Sequence, residues 1–302
     1  MINKTLTIII LVCIFSCSRK DDEKYSPQFS DQNANKNNKN EIVFAPHPLH
    51  NPQRLQEMFG PIIDILNKEI PEVHFVLESS KSYSEYNEKI KSKRIDILLP
   101  NPYQTILALK NDYNVFGKMS DDFNFRGIIL VKKDSPIKSI KDLKGKTISF
   151  PAPTAVSGSM MIQYYLQKHG INVKAQEINP KYVGSQESSI LAAYHNEVDA
   201  AGTWPMAWNS YSSEKNHIKN ELRILLSTET LINNSLMAKK DFNKEYLEKI
   251  KKVFLSLQNS TEGQRILSRM MLSKFELSNN GQYKIAKNFF EDYKKTFGSL
   301  PE

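Results

Sequence analysis

Cysteine is almost missing from this chain. Two occur in 302 residues, Cys13 and Cys17, both at the N-terminal extreme. Everything beyond position 17 must fold without a disulfide and without a cysteine-bound metal. The usual signatures of catalysis are missing too. There is no Gly-x-Ser-x-Gly elbow, no His-Glu-x-x-His helix and no phosphate-binding Gly-x-x-x-x-Gly-Lys loop. The formal charge is +8, from 41 Lys and Arg against 33 Asp and Glu. The lysines are dispersed over helical stretches such as KEYLEKIKK (244–252), which reads as a solvated cationic surface. A concentrated basic patch with interleaved aromatics, as a nucleic-acid groove needs, is not present.

The N-terminal apolar run, TLTIIILVCIFS (5–16), falls short of the ~20 residues of a bilayer-spanning helix. It has the length of a signal-peptide core and follows a single lysine, Lys4. Ile14-Phe15-Ser16-Cys17 then resembles a bacterial lipobox. On that reading residues 1–16 are removed, Cys13 with them, and Cys17 becomes the lipidated first residue. An ordinary cleaved signal or an uncleaved anchor are the alternatives. Residues 17–40 are polar and rich in Asn and Lys, unable to bury a core, and read as a tether.

From EIVFAP (41–46) onward, short apolar strands alternate with helical patterns. Strands are expected at 73–79, 94–100, 125–134, 146–150, 175–183, 198–204 and 222–229. Helices are expected at 54–70, 83–92, 105–111 and 187–197, and the chain after 242 is mostly helical. This alternation implies an α/β fold with largely parallel sheets.

One stretch stands out. PAPTAVSGSMMIQYYLQKHG (151–170) runs a small, hydroxyl-rich loop into a helix that begins at about Ser159. The serines could simply cap that helix. Alternatively, free N–H groups, hydroxyls and the helix dipole make a seat for an anion.

The segment IILVKKDSPIKSIKDLKGKTISF (128–150) resembles the crossover of two-lobed periplasmic solute-binding proteins. With IDILLPNPYQTILAL (95–109), PTAVSGS (153–159), YVGSQESSILAAYHNEVDAAG (182–202) and TETLINNSLMAKKDF (228–242), the chain is similar to the phosphate/phosphite/phosphonate-binding branch of ABC-importer receptors. The resemblance implies a type II fold of two α/β lobes, each a mixed sheet flanked by helices and joined by two crossover strands. Lobe one would be 41–132 and 229–302, lobe two 133–228. It also implies an oxyanion held by the loop through Thr154, Ser157, Gly158 and Ser159. Gln186 stands where the family often has histidine, Asn101 and Tyr103 end the first lobe's strand segment, and Asp199 would shape the cleft floor.

Family members that bind aminophosphonates use two carboxylates whose positions fall near Met206 and Asn234; neither is acidic here. That implies a ligand without an amine, with Glu187 the nearest alternative carboxylate. Trp204 and Trp208 could pack the lobe or line the cleft. His47 could touch ligand or be plain loop. A metal at His47 and His50 would need further ligands, and Pro48 opposes helical spacing.

The expectation is therefore a monomeric, lipid-anchored receptor on the periplasmic side of a bacterial membrane. It would deliver a small oxyanion to ABC permease subunits, with no catalytic residue, metal or cofactor and no nucleic-acid partner. A sensory or interaction lipoprotein with the same fold is the alternative. Cys17→Ala is expected to abolish membrane association while a 41–302 fragment stays soluble. Fractionation after signal cleavage checks this, and a Cys17→Ala protein still found with membranes overturns it.

Overall fold

The computed structural model describes residues 40–301. The expected signal segment, Cys17 and nearly all of the tether lie outside the described residues.

The first stretch of chain forms β1 (Glu41–Pro46), α1 (Pro52–Glu69), β2 (His74–Leu77), α2 (Tyr83–Lys91), β3 (Ile97–Leu99), α3 (Pro102–Leu109) and β4 (Tyr113–Met119). The second forms β5 (Arg126–Lys132), β6 (Thr147–Phe150), α4 (Met161–Lys168), β7 (Asn179–Tyr182), α5 (Gln186–Tyr194), β8 (Ala200–Thr203), α6 (Pro205–Glu214), α7 (Asn216–Glu221) and β9 (Leu222–Thr230). The chain then adds β10 (Ser235–Lys239), α8 (Lys244–Ser256), α9 (Thr261–Arg269), β11 (Phe275–Leu277) and α10 (Lys284–Phe297).

Two sheets result. The first has the order β11-β4-β10-β3-β1-β2, the second β7-β6-β8-β5-β9. In each, three parallel strands carry the βα units, and antiparallel strands close the sheet. The expected lobe boundaries need correction. β5 lies before the expected break at 132, and β9 straddles the one at 228. Both strands belong wholly to the second sheet, so the chain changes sheets at 120–125 and 231–234. These two segments are bonded to each other: Leu231 N–H donates to Phe125 O at 2.9 Å, and Asn233 Nδ2 to Ser120 O at 2.7 Å.

β5 shows why a continuous apolar run forms a central strand. Ile128 and Leu130 pack on one face with Ile190 and Trp208. Ile129 and Val131 pack on the other with Phe150, Ile162 and Leu166. Alternation puts neighbours on opposite faces, so a strand covered on both sides must be apolar throughout. β4 and β11 escaped the sequence reading. β11 has three residues and sits within a helical region, where only pairing with β4 (Phe275↔Met119) defines it. At 175–183 only Asn179–Tyr182 is strand, an exposed edge.

The first sheet's core centres on Phe254, fully buried, with Phe44 and Phe275 ring centroids at 5.8 and 5.0 Å. Phe254→Ala should cost about 3–5 kcal/mol, the lost burial plus the cavity left behind. Urea unfolding measures it; a loss under about 1 kcal/mol would mean that this packing does not hold the sheet.

Candidate functional site

The strands of both sheets point their C-terminal ends at one small cavity. His47 and Asn101 follow β1 and β3. Tyr83 opens α2 after β2. From the second sheet, Ala155, Val156 and Ser157 follow β6, Gln186 opens α5 after β7, and Trp204 follows β8. Phe125 and Asn234 come from the two sheet-changing segments. Loops at the carboxyl ends of parallel strands are where α/β sheets place ligands, because helix N-termini converge there. All ten lining residues are at most 5% exposed, so nothing enters without movement. The space is about 10 Å³, room for roughly one water-sized group.

The hydroxyl-rich loop forms the wall contributed by the second sheet. The helix starts earlier than expected, with a π turn at Val156–Met160 that runs directly into α4. Its N-cap is Ala155, which has no side-chain acceptor, and no side chain caps either segment. The N–H groups of 156–159 bond to no described residue outside the turn itself. Ser157 and Ser159 do not serve as caps. The loop is set by close packing. A Cβ at Gly127 would lie 2.5 Å from Ser157 O, and one at Gly158 would lie 2.9 Å from Gln186 Oε1. Glycine at these positions lets the turn lie against β5 and lets Gln186 cross over it.

Other walls are held from behind. Thr203 Oγ1 donates to Gln186 Oε1 at 2.8 Å. Asn101 caps α3 with Oδ1 and donates Nδ2 to Thr154 O at 3.1 Å, bridging the two sheets. Trp204 packs edge-on to Phe125, centroids 5.5 Å apart, and its Nε1–H has no acceptor among the described residues. Asn234 is fully buried, and its Oδ1 has no partner. Buried polar atoms rarely go unpaired, so two orphans on one cavity mark where a polar guest fits.

His47 is neutral. Burial pushes its imidazole down to about 4, with the Leu99 carbonyl opposing and His50 adding to the drop. Since a carbonyl can only accept, Nδ1 carries the proton that bonds Leu99 O at 3.0 Å.

Of the residues singled out from sequence, the cavity gathers His47, Asn101, Ser157, Gln186, Asn234 and Trp204. Thr154 contributes its carbonyl to Asn101, and Gly158 contributes space. Ser159 turns inward, its Oγ accepting from Gln163 Nε2 at 3.0 Å. Tyr103 turns away, donating to Pro301 O and packing on Phe290. Trp208 and Met206 are core residues. Asp199 binds the backbone of Thr147 outside the cavity. His50 pairs with Glu187. The sequence reading missed Tyr83 and Phe125. Tyr83 sat at the start of a helix read only as polar, although its neighbour Ser82 is a strong N-cap signal.

Because an unfolded His47 titrates near 6.5 and the folded one near 4, the unfolded chain binds more protons between these values. Stability should fall by about 3 kcal/mol as pH drops from 6.5 to 4, then level off. Urea unfolding of the protein and of His47→Asn across this range isolates the effect; parallel curves would show that His47 is not buried neutral.

Comparison with known proteins adds the family. The model for "ABC transporter, phosphonate, periplasmic substrate-binding protein" matches residues 44–283. The phosphonates-binding periplasmic protein of Escherichia coli K12 is 23% identical over 159 residues, 51% of this chain and 47% of that protein. The chain thus aligns with about half of that relative's length. Two solved structures share the fold. The binding-protein component of a phosphonate ABC transporter from Pseudomonas aeruginosa gives a TM-score of 0.77 at 17% identity, covering 85% of this chain and 88% of that one. Prochlorococcus marinus PhnD1, solved with methylphosphonate, gives 0.76 at 20% identity, covering 84% and 98%. The fold is accordingly that of the type II periplasmic binding proteins, and the chain belongs to the phosphonate-type periplasmic substrate-binding proteins of ABC transporters.

Proposed function

We propose that this protein captures a small phosphorus oxyanion, phosphite or a short phosphonate, in the cavity between its two sheets. It passes the ligand to ABC permease subunits while held to the membrane through lipid on Cys17. It acts by binding and performs no catalysis. The supporting observation is the uncapped start of the Val156 turn. Up to four N–H groups and a helix dipole are left for a guest anion, at a wall completed by the Ser157 hydroxyl and the Trp204 N–H. A dianion or monoanion seated there replaces water lost on closure with fixed donors, each charge-assisted bond being worth roughly 1.5–3 kcal/mol.

The walls also argue for a ligand without an amine. An ammonium taken out of water must be paired or neutralised. The two positions considered for that role hold Met206, buried in the core, and Asn234, which is neutral. Glu187 is already engaged by His50. Phe125, Val156 and Ala155 leave an apolar side that suits hydrogen or methyl on phosphorus.

The lobes would open by hinge motion at 120–125 and 231–234, admit the anion and close over it in a roomier arrangement than this one, whose cavity takes about one water-sized group. Titration calorimetry with phosphite, phosphate, methylphosphonate and 2-aminoethylphosphonate tests the reading. Phosphite or methylphosphonate should bind best and the aminated compound at least about tenfold weaker, 1.4 kcal/mol. Ser157→Ala should weaken binding by about 1–3 kcal/mol and change unfolding stability by less than about 1. A preference for the amine, or equal losses of affinity and stability, overturns the proposal.

A further inference from the structure

Outside the cavity, the two sheets' layers are joined along a polar seam. His50, just before α1, bonds through Nδ1 to Glu187 Oε1 in the first turn of α5. In the first turn of α1, Arg54 reaches Glu214 of α6 in a bidentate pair, Nη1 to Oε2 at 2.9 Å and Nη2 to Oε1 at 3.0 Å. Arg54 Nη2 also meets Ser210 Oγ at 2.6 Å, and Ser210 Oγ is 3.3 Å from Arg269 O of α9. α1 and α9 cover the first sheet, α5 and α6 the second, so every one of these bonds must break for the cavity to open. Neither His50 nor Arg54 lines the cavity.

The seam is held under strain of solvation. Glu187 is 5% exposed, and its Oε2 has no partner; Arg54 Nε is also buried and unpaired. Burial would raise the Glu187 carboxyl, yet the His50 bond and the charges of His50 and Arg54 hold it below its ordinary range. The carboxylate is therefore ionised and only half satisfied. Water reaching it on opening recovers the missing bonds, whereas closure recovers the ion pairs. A second seam is aromatic: Tyr164 of α4 packs against Phe289 and Tyr293 of α10, centroids 5.4 and 6.4 Å away.

We propose that His50 and Arg54 are positioning residues for ligand retention: with Glu187, Ser210 and Glu214 they form a polar latch that sets how long the cleft stays shut. The proposal rests on the oxyanion-receptor reading for its ligand but not for its structural content. The latch favours the closed arrangement with or without an anion, and because a seated anion leaves only when the cleft opens, the latch acts chiefly on release.

The test uses Arg54→Glu, Glu214→Arg and the double exchange, whose pair lies toward solvent and can be reversed. Stopped-flow tryptophan fluorescence with methylphosphonate should show release faster by on the order of tenfold in each single variant, with association no slower. The double exchange should restore slow release. Glu187→Gln, which keeps shape but removes charge, should also speed release. Small-angle scattering of the ligand-free proteins should show a larger radius of gyration for each single variant and a return in the double. If the single variants release at the original rate, or the double exchange fails to restore compactness, the latch is overturned. If methylphosphonate does not bind at all, the receptor reading fails, and scattering still decides the latch.

Discussion

Among the described residues, the first N–H groups of the Val156 turn have no partner outside the turn itself, and much of the architecture serves to keep them so. An ordinary helix start would be satisfied by a Ser, Thr, Asp or Asn at the N-cap. Here Ala155 holds that position, and Ser157 falls one turn-step too late to fold back. The neighbours are arranged around the exposed end. Gly127 lets the turn approach β5, Gly158 makes room for Gln186, and Thr203 holds the Gln186 amide in place. The cost of leaving buried donors unpaired is tolerable only if something else pairs them during function.

Parallel strands explain why the rest of the site gathers at the same point. Each βα unit ends its strand where the next helix begins, so six strand ends from two sheets supply side chains to one volume. The two sheet-changing segments add Phe125 and Asn234, which ties the walls of the cavity directly to the hinge. Motion of one sheet relative to the other would open or close the cavity and part the contacts that Val156, Met160, Met161, Trp204, Met206 and Ala207 make with the first sheet's core. The polar seam at α1 and the aromatic seam at α10 flank that motion, one charged and under-satisfied, the other apolar. Their different chemistry gives them different responses to water, which is what allows one to act as a catch and the other as a bearing.

Local pattern was enough to read the α/β class, most strands and the loop at 151–159, because β-branched runs, turn residues and helical spacing act over a few residues. It also led to the family, through an ordered set of short segments. Element edges were less legible: β5 was assigned with the first lobe because its position in the chain adjoins that lobe, but its ladder partners, β8 and β9, lie about 70 and 100 residues away.

Side-chain direction was the part sequence could not supply. Tyr103 and Asn101 stand two residues apart, yet one turns to the C-terminal segment and the other to the cavity. Trp204 and Trp208 stand four residues apart, but the first ends on the cavity wall and the second in the second sheet's core, because Trp204 is the extended N-cap residue before α6 whereas Trp208 lies within the helix. What the sequence determined alone was the order of strands and helices, the absence of cysteine chemistry and the small loop before a helix. What only tertiary structure decided was that Ala155 leaves that helix uncapped beside an unpaired Trp204 N–H, since an unpaired donor is defined by everything that fails to reach it.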